Sequence, residues 1–284
     1  MVELDDLINV EQLILLSKDT NPTMLFCHMN MPINSQQQNT VDGYIPNSIL
    51  FDFETDITDK NHSAPHMLPS VDYFAKRLTQ MGINNDSSVV IYDDQGMFSA
   101  PRAWWMLKSL GHEKVYVLNG GLQAWIDAKQ MLDTKLATSS PSVHAYMPPT
   151  TGYQYLVNKQ QLLSNLDDNK LLILDARSPN RFFGLEPEPR VGVRAGHIPG
   201  AKNLYYASLL VDGHLASKAT LQSLFSKLDK NIINKQLVFS CGSGVTASIL
   251  ALAANQIGIS NWSVYDGSWS EWGADKSCPI VLQD

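Results

Sequence analysis

Leu237-Val-Phe-Ser-Cys241-Gly-Ser-Gly-Val-Thr246 sets a cysteine at the end of an apolar run and follows it with a glycine-bearing loop. Leu237 to Phe239 read as a buried strand, and Ala247 to Gln256 as an apolar helix that stops near Gly258, its C-cap. Cys241 therefore stands at the mouth of a strand-loop-helix unit. Gly242 and Gly244 admit backbone conformations that side chains forbid. The N–H groups of Gly242, Ser243, Gly244, Val245 and Thr246 can then curl toward the sulfur, and the helix N-terminus adds positive potential. Both effects favour a thiolate over a thiol. The bland alternative is a small buried cysteine in a tight turn. A cysteine phosphatase would need arginine six positions after the cysteine to grip phosphate. That position is Ala247, so the loop suits something smaller than a phosphoryl group, such as one bound sulfur.

Working outward, the order of segments around Cys241 occurs twice. The second half runs Val193-Arg-Ala-Gly-His197-Ile-Pro-Gly, then the Cys241 strand, then Trp262-Ser-Val-Tyr-Asp-Gly267-Ser-Trp269. The first half runs Val41-Asp-Gly-Tyr44-Ile-Pro, then Val89-Val-Ile-Tyr-Asp-Asp94, then Val115-Tyr-Val-Leu-Asn-Gly120-Gly121, with Trp125 beyond. Short β-runs alternating with amphipathic helices imply a parallel α/β sheet covered on both faces, here in two tandem domains. We expect an N-terminal domain over residues 1–138, a linker over 139–152 rich in turn formers, and a C-terminal domain over 153–284. Asp94 is read as the counterpart of Cys241, which leaves the first domain catalytically silent. Leu25-Phe-Cys27-His28 is a poor match to Leu174-Asp-Ala-Arg177. Trp104 and Trp105 are taken as core.

Length and composition agree with a two-domain enzyme. The chain has 284 residues, 44% of them hydrophobic, enough for two buried cores. A formal net charge of −7 argues against nucleic acid or an anionic membrane as the main partner. The first residues are acidic where a signal peptide would be basic, and no apolar run is long enough to cross a bilayer, so a cytoplasmic location is expected. Cys27, Cys241 and Cys278 are widely spaced, which suggests neither a disulfide framework nor a zinc site.

A second segment points to substrate. Arg181-Phe-Phe-Gly184-Leu-Glu-Pro187-Glu-Pro189-Arg190 places two arginines in a loop bearing proline and glycine, and guanidinium groups bind a small carboxylate in a fork geometry. Arg177 is expected to pair with a local carboxylate, Arg194 to lie on the surface, and His197 to hold a tight turn. A third segment, Pro65-His66-Met-Leu-Pro69, restrains a histidine in a stiff loop, and such loops hold catalytic groups well.

The Cys-Gly-Ser-Gly-Val-Thr loop resembles the active-site loop of the rhodanese superfamily, in the version found in 3-mercaptopyruvate sulfurtransferases. The resemblance extends over nearly the whole chain and implies two tandem rhodanese-like domains. It also implies that Arg181 and Arg190 hold the substrate carboxylate and keto oxygen, and that His66 works with an upstream acid, which maps to Glu54, with Asp52 or Asp56 as alternatives. Ser243 would complete a relay with His66 and that acid. The implied chemistry is a ping-pong transfer in which Cys241 takes sulfur from 3-mercaptopyruvate and passes the persulfide sulfur to cyanide, a small thiol or a thioredoxin-like protein. It calls for no metal or organic cofactor. Tyr44 departs from the family pattern, where histidine is usual. Two rival readings are a thiosulfate sulfurtransferase, which usually carries basic residues after the cysteine, and a non-catalytic persulfide carrier or interaction module.

Overall fold

The structure, a computed structural model, describes residues 4–30 and 43–282. Val41 and Asp42 of the first repeat motif lie outside the described residues. The chain forms two compact units, each taking in a short piece of the other half of the sequence. The first comprises Met1–Lys60, Leu68–Gln154 and Asp212–Leu215, and the second Asn61–Met67, Tyr155–Val211 and Ala216–Asp284.

In the first unit, β1 (Leu7–Ile8), α1 (Val10–Thr20), β2 (Thr23–Phe26), β3 (Ile49–Leu50), α2 (Val71–Gln80), β4 (Val89–Tyr92), α3 (Ala100–Ser109), β5 (Val115–Leu118) and α4 (Gly121–Asp127) follow in chain order. Local chemistry sets the helix starts. Asn9 and Gln12 form a reciprocal capping box on α1, Ser70 caps α2, and Pro101 sits in the first turn of α3. The strands pair in the order β1-β5-β4-β2-β3, all parallel. The central strand β4 reads Val-Val-Ile-Tyr and is buried throughout, as a parallel strand covered on both faces must be. Trp104 and Trp105 of α3 are fully buried. Burial of each large apolar side chain of this kind contributes roughly 1.5–3 kcal/mol.

The second unit carries β6 (Leu156–Val157), α5 (Lys159–Ser164), β7 (Leu171–Asp175), α6 (Pro179–Phe182), β8 (Lys202–Asn203), β9 (Leu210–Val211), α7 (Lys218–Leu228), β11 (Gln236–Ser240), α8 (Ala247–Gln256), β12 (Trp262–Tyr265) and α9 (Ser268–Trp272), while the short strand β10 (His214–Leu215) belongs to the first unit. Its five-stranded sheet runs β6-β12-β11-β7-β8, again parallel, and repeats the topology of the first. The fold is therefore α/β with two parallel sheets of equivalent strand order, as the repeat implied. Helix α8 spans the residues expected for it, and strand β11 extends one residue beyond each end of the expected run. Residues 139–152 run as coil. Ser142 N–H donates to Thr79 O, Tyr146 N–H donates to Thr79 Oγ1, and Tyr146 is buried.

Register corrects one correspondence. Phe26 pairs with Tyr92 as Asp175 pairs with Ser240, and Cys27 N–H donates to Tyr92 O as Ala176 N–H donates to Ser240 O. The residue after the strand is then Cys241 in one unit and Asp93, not Asp94, in the other. The loop from Asp93 to α3 is one residue longer than the loop from Cys241 to α8, and this displaces a count made back from the helix. Phe26-Cys27-His28 does align with Asp175-Ala176-Arg177. Tyr44 and His197 also correspond, each forming an isolated antiparallel bridge, to Asp133 and Val281.

Candidate active site

Cys241 is the first residue past β11, at the carboxyl ends of the parallel strands, where open α/β sheets bind ligands. Its side chain is buried in the second unit. The loop behind it is held by the start of α9. Trp269 N–H donates to Cys241 O and Ser270 N–H to Gly242 O, both at 2.9 Å, and the Ser270 hydroxyl also donates to Gly242 O. Cys241 N–H donates to Ser268 Oγ at 3.0 Å, and that oxygen lies 4.0 Å from Cys241 Sγ. Ser268 has φ +48°, a left-handed conformation that costs a serine energy and that glycine (Gly121, φ +56°) adopts at the matching place in the first unit. Ser268 and Ser270 escaped the sequence reading. Their signal lay in the Asp-Gly-Ser-Trp segment, which the repeat marked as a strand end without showing that it backs the cysteine loop.

The first unit shows what such a loop does. The Asp93 carboxylate, fully buried, accepts four backbone N–H bonds: from Gln95 and Met97 on Oδ1, and from Ser99 and Ala100 on Oδ2, at 2.8–3.1 Å. Burial pushes the Asp93 carboxyl up and these amides pull it back. The loop between central strand and helix is thus an anion cradle, and in the first unit its own aspartate fills it. In the second unit the residue at that place is a cysteine.

Arg181 and Arg190 both come to the cysteine loop. Arg181 Nε and Nη2 donate to the Glu188 carboxylate at 3.2 and 2.6 Å, and its guanidinium packs over Gly242, where a Cβ would sit 3.1 Å from Nη2. Arg190 Nη1 donates to Ser270 Oγ at 3.2 Å. Burial, then the neighbouring Arg181 charge, pull the Arg190 guanidinium below its usual value, while Cys241 and Glu188 act in the opposite sense. Two cations, Arg181 half-buried and Arg190 exposed, thus stand close together, which favours an anion between them. Glu188 was missed by the sequence reading. It bridges Arg181 to the fully buried Arg177, whose guanidinium also grips Asp175 and stacks on Trp269. Arg194, expected on the surface, is half-buried. Its guanidinium donates to the carbonyls of Trp272, Gly273, Asp275 and Cys278, acceptors that become available only where the chain leaves α9. His197 is buried, stacked on Phe182, with Nδ1 2.9 Å from Phe182 O.

His66 belongs to the second unit through the Asn61–Met67 segment, and its Nδ1 lies 3.1 Å from Ser243 Oγ. It too is left-handed, with φ +61°. Glu54 lies in the first unit, where its Oε2 accepts from the N–H and Nδ2–H of Asn30. Asp52 caps the turn at Thr55, and Asp56 pairs with Arg77. Thr246 is the N-cap residue of α8, and Val245 is buried. Among the described residues, no group of three or more His, Cys, Asp or Glu is placed to hold a metal ion, and no helix is long and apolar enough to cross a membrane.

A duplicated parallel α/β unit with a cysteine at one strand-end cradle is the architecture of a rhodanese-type protein. The rhodanese-like domain matches residues 19–128 and 158–275. The 3-mercaptopyruvate sulfurtransferase of Escherichia coli K12 is 38% identical over 245 residues, 86% of this chain and 85% of that protein. The crystal structure of SseA from Escherichia coli, reported as a 3-mercaptopyruvate sulfotransferase with the rhodanese fold, superposes with a TM-score of 0.80 at 31% identity, covering 94% of this chain and 100% of that one. Tum1 from Saccharomyces cerevisiae gives a TM-score of 0.84 at 31% identity, with 99% of each chain covered. The chain belongs to the rhodanese family and is a sulfurtransferase.

Proposed function

We propose that the protein moves sulfur from 3-mercaptopyruvate, through a persulfide on Cys241, to a thiophilic acceptor, and releases pyruvate. The Cys241 thiolate attacks the donor sulfur and forms an S–S bond. The C–S bond breaks, its electron pair stays on carbon as the enolate of pyruvate, and the enolate takes up a proton. In the second half-reaction an acceptor such as cyanide, a small thiol or a reduced thioredoxin-like protein attacks the outer sulfur and restores the thiolate.

The observation that carries this reading is the cradle filled by Asp93. Four amides converge on a carboxylate in one copy, and the cysteine occupies the same place in the other, which supports a role for the loop amides from Gly242 to Thr246 in stabilising the persulfide anion. It also supports reading the first unit as the silent copy. Arg181 and Arg190 hold the donor's carboxylate and keto oxygen and stabilise the developing enolate. Their position beside Gly242 and Ser270 supports this, and it suits a neutral Gly-Ser loop that takes its anionic donor from the side. Ser243 can donate its hydroxyl proton to His66, which supports a proton-handling role for the pair. Glu54 is proposed as the acid behind His66. The free thiols of Cys27, Cys241 and Cys278 support a cytoplasmic, reducing setting.

Intact-mass measurement after adding 3-mercaptopyruvate tests the central step. A gain of one sulfur that maps to Cys241 and vanishes in Cys241→Ser is expected. No gain in the wild type, or a gain that survives the substitution, overturns it. Pyruvate release from 3-mercaptopyruvate compared with sulfite release from thiosulfate assigns the donor.

A further inference from the structure

We infer that His62 and Glu271 are positioning residues that hold His66 against Ser243, an inference that rests on the role proposed for His66. The segment Asn61–Met67 comes from the first half of the sequence but packs into the second unit, carrying its histidine to the cysteine loop. Such a short strap needs an anchor, because His66 sits in a left-handed conformation, disfavoured for a residue with a side chain, that only surrounding contacts can maintain.

His62 supplies two contacts from one ring. Its Nδ1 accepts the Ala64 N–H at 3.0 Å, a bond across two residues that closes the turn leading to Pro65 and His66. With Nδ1 accepting, the proton of the neutral ring lies on Nε2, and Nε2 is 3.8 Å from Glu271 Oε1. Glu271 is itself fixed. Its other oxygen accepts the Tyr265 hydroxyl at 2.7 Å, Lys159 Nζ lies 3.9 Å from Oε1, and the carboxylate lies against Gly267, where a Cβ would fall 2.1 Å from Oε2. Glu271 follows directly on Ser268, Trp269 and Ser270, the residues that bond the backbone and sulfur of Cys241 and Gly242. The helix start that holds the nucleophile loop therefore also holds the strap, and the distance between the sulfur and the proton-handling pair is set by one rigid element.

The test is a double-mutant cycle on the rate of persulfide formation in a single turnover of the whole protein. His62→Ala should slow that step about fivefold, the effect of losing one neutral hydrogen bond and a longer contact to the Glu271 carboxylate. In a His66→Ala background it should cause no further loss, since there is then no imidazole to position. His62→Asn, whose Oδ1 can accept the Ala64 N–H, should recover part of the rate, and Glu271→Gln, which leaves the Ala64 bond in place, should show part of the defect of His62→Ala. Additive losses in the cycle, or an unchanged rate in both His62→Ala and Glu271→Gln, overturn the inference and leave the role of His66 standing. If His66→Ala alone leaves the rate unchanged, the proton-handling role fails and this inference falls with it.

Discussion

Gly242→Ala isolates the contribution of Arg181 without touching it. Gly242 is not among the left-handed residues, so an alanine backbone is unstrained there. The added Cβ would lie 3.1 Å from Arg181 Nη2, 3.7 Å from Nη1 and 3.9 Å from Cζ, so the guanidinium must give by a few tenths of an ångström. It has little freedom to do so. Two of its nitrogens are bound to Glu188, and Glu188 is pinned by the fully buried Arg177. A misplacement of about 1 Å of a substrate-positioning group can cost about a hundredfold in rate, so a few tenths should cost about four- to tenfold. Stability should hardly change, because replacing glycine by alanine where the backbone allows it stabilises by about 0.4–1 kcal/mol through the unfolded chain and offsets the tight contact. The assay is kcat/KM for pyruvate release from 3-mercaptopyruvate, with alkylation of Cys241 by neutral iodoacetamide as a control for the nucleophile itself. We expect a four- to tenfold fall in kcat/KM with an unchanged alkylation rate. Equal kcat/KM in variant and wild type would refute the placement of the donor against Arg181. An alkylation rate that falls in parallel would show that the loop, and not the arginine, had been disturbed.

Further outcomes follow from the same geometry. Asp93→Asn puts an amide where a carboxylate accepts four N–H bonds, and should destabilise the protein by about 2–4 kcal/mol in denaturant unfolding while leaving the chemistry of Cys241 intact. Arg177→Met leaves the buried Asp175 carboxylate without its cation and Glu188 with Arg181 alone, so a loss of about 3–5 kcal/mol is expected in the same assay, together with a looser hold on Arg181 that shows as a raised KM. Burial lowers His112 from 6.5 to about 4. The unfolded chain therefore takes up a proton that the folded one refuses, and stability present above pH 6.5 is lost as the pH falls toward 4, by roughly 3 kcal/mol in all. Unfolding midpoints measured across that range should slope downward in the wild type and flatten in His112→Gln.

Much of this is legible in the sequence. The β11 strand and α8 helix were legible because the apolar run Leu237–Phe239, two glycines and an apolar helix followed closely by Gly258 form a local pattern set by short-range sterics and burial. The duplication was legible because both halves solve the same packing problem with the same order of segments. The counterpart of Cys241 was not. Register is fixed by hydrogen bonds between strands distant in sequence, and a one-residue difference in loop length is enough to mistake Asp94 for Asp93. Arg194 was misread for a related reason: its acceptors are carbonyls around the end of α9, some eighty residues away.

The sequence by itself determined that this chain would present a cysteine from a strand-loop-helix unit in a duplicated parallel α/β frame, with two arginines and one proline-bound histidine as its candidate partners. Those are properties of adjacent residues and their spacing. Tertiary structure alone decided that Ser268 and Ser270 back the loop, that Glu188 orders Arg181, and that the segment carrying His66 packs into the second unit. Each of these depends on groups brought together across many residues of chain. Nothing in local propensity records such proximity, because it arises only when the sheet and its helices have been packed.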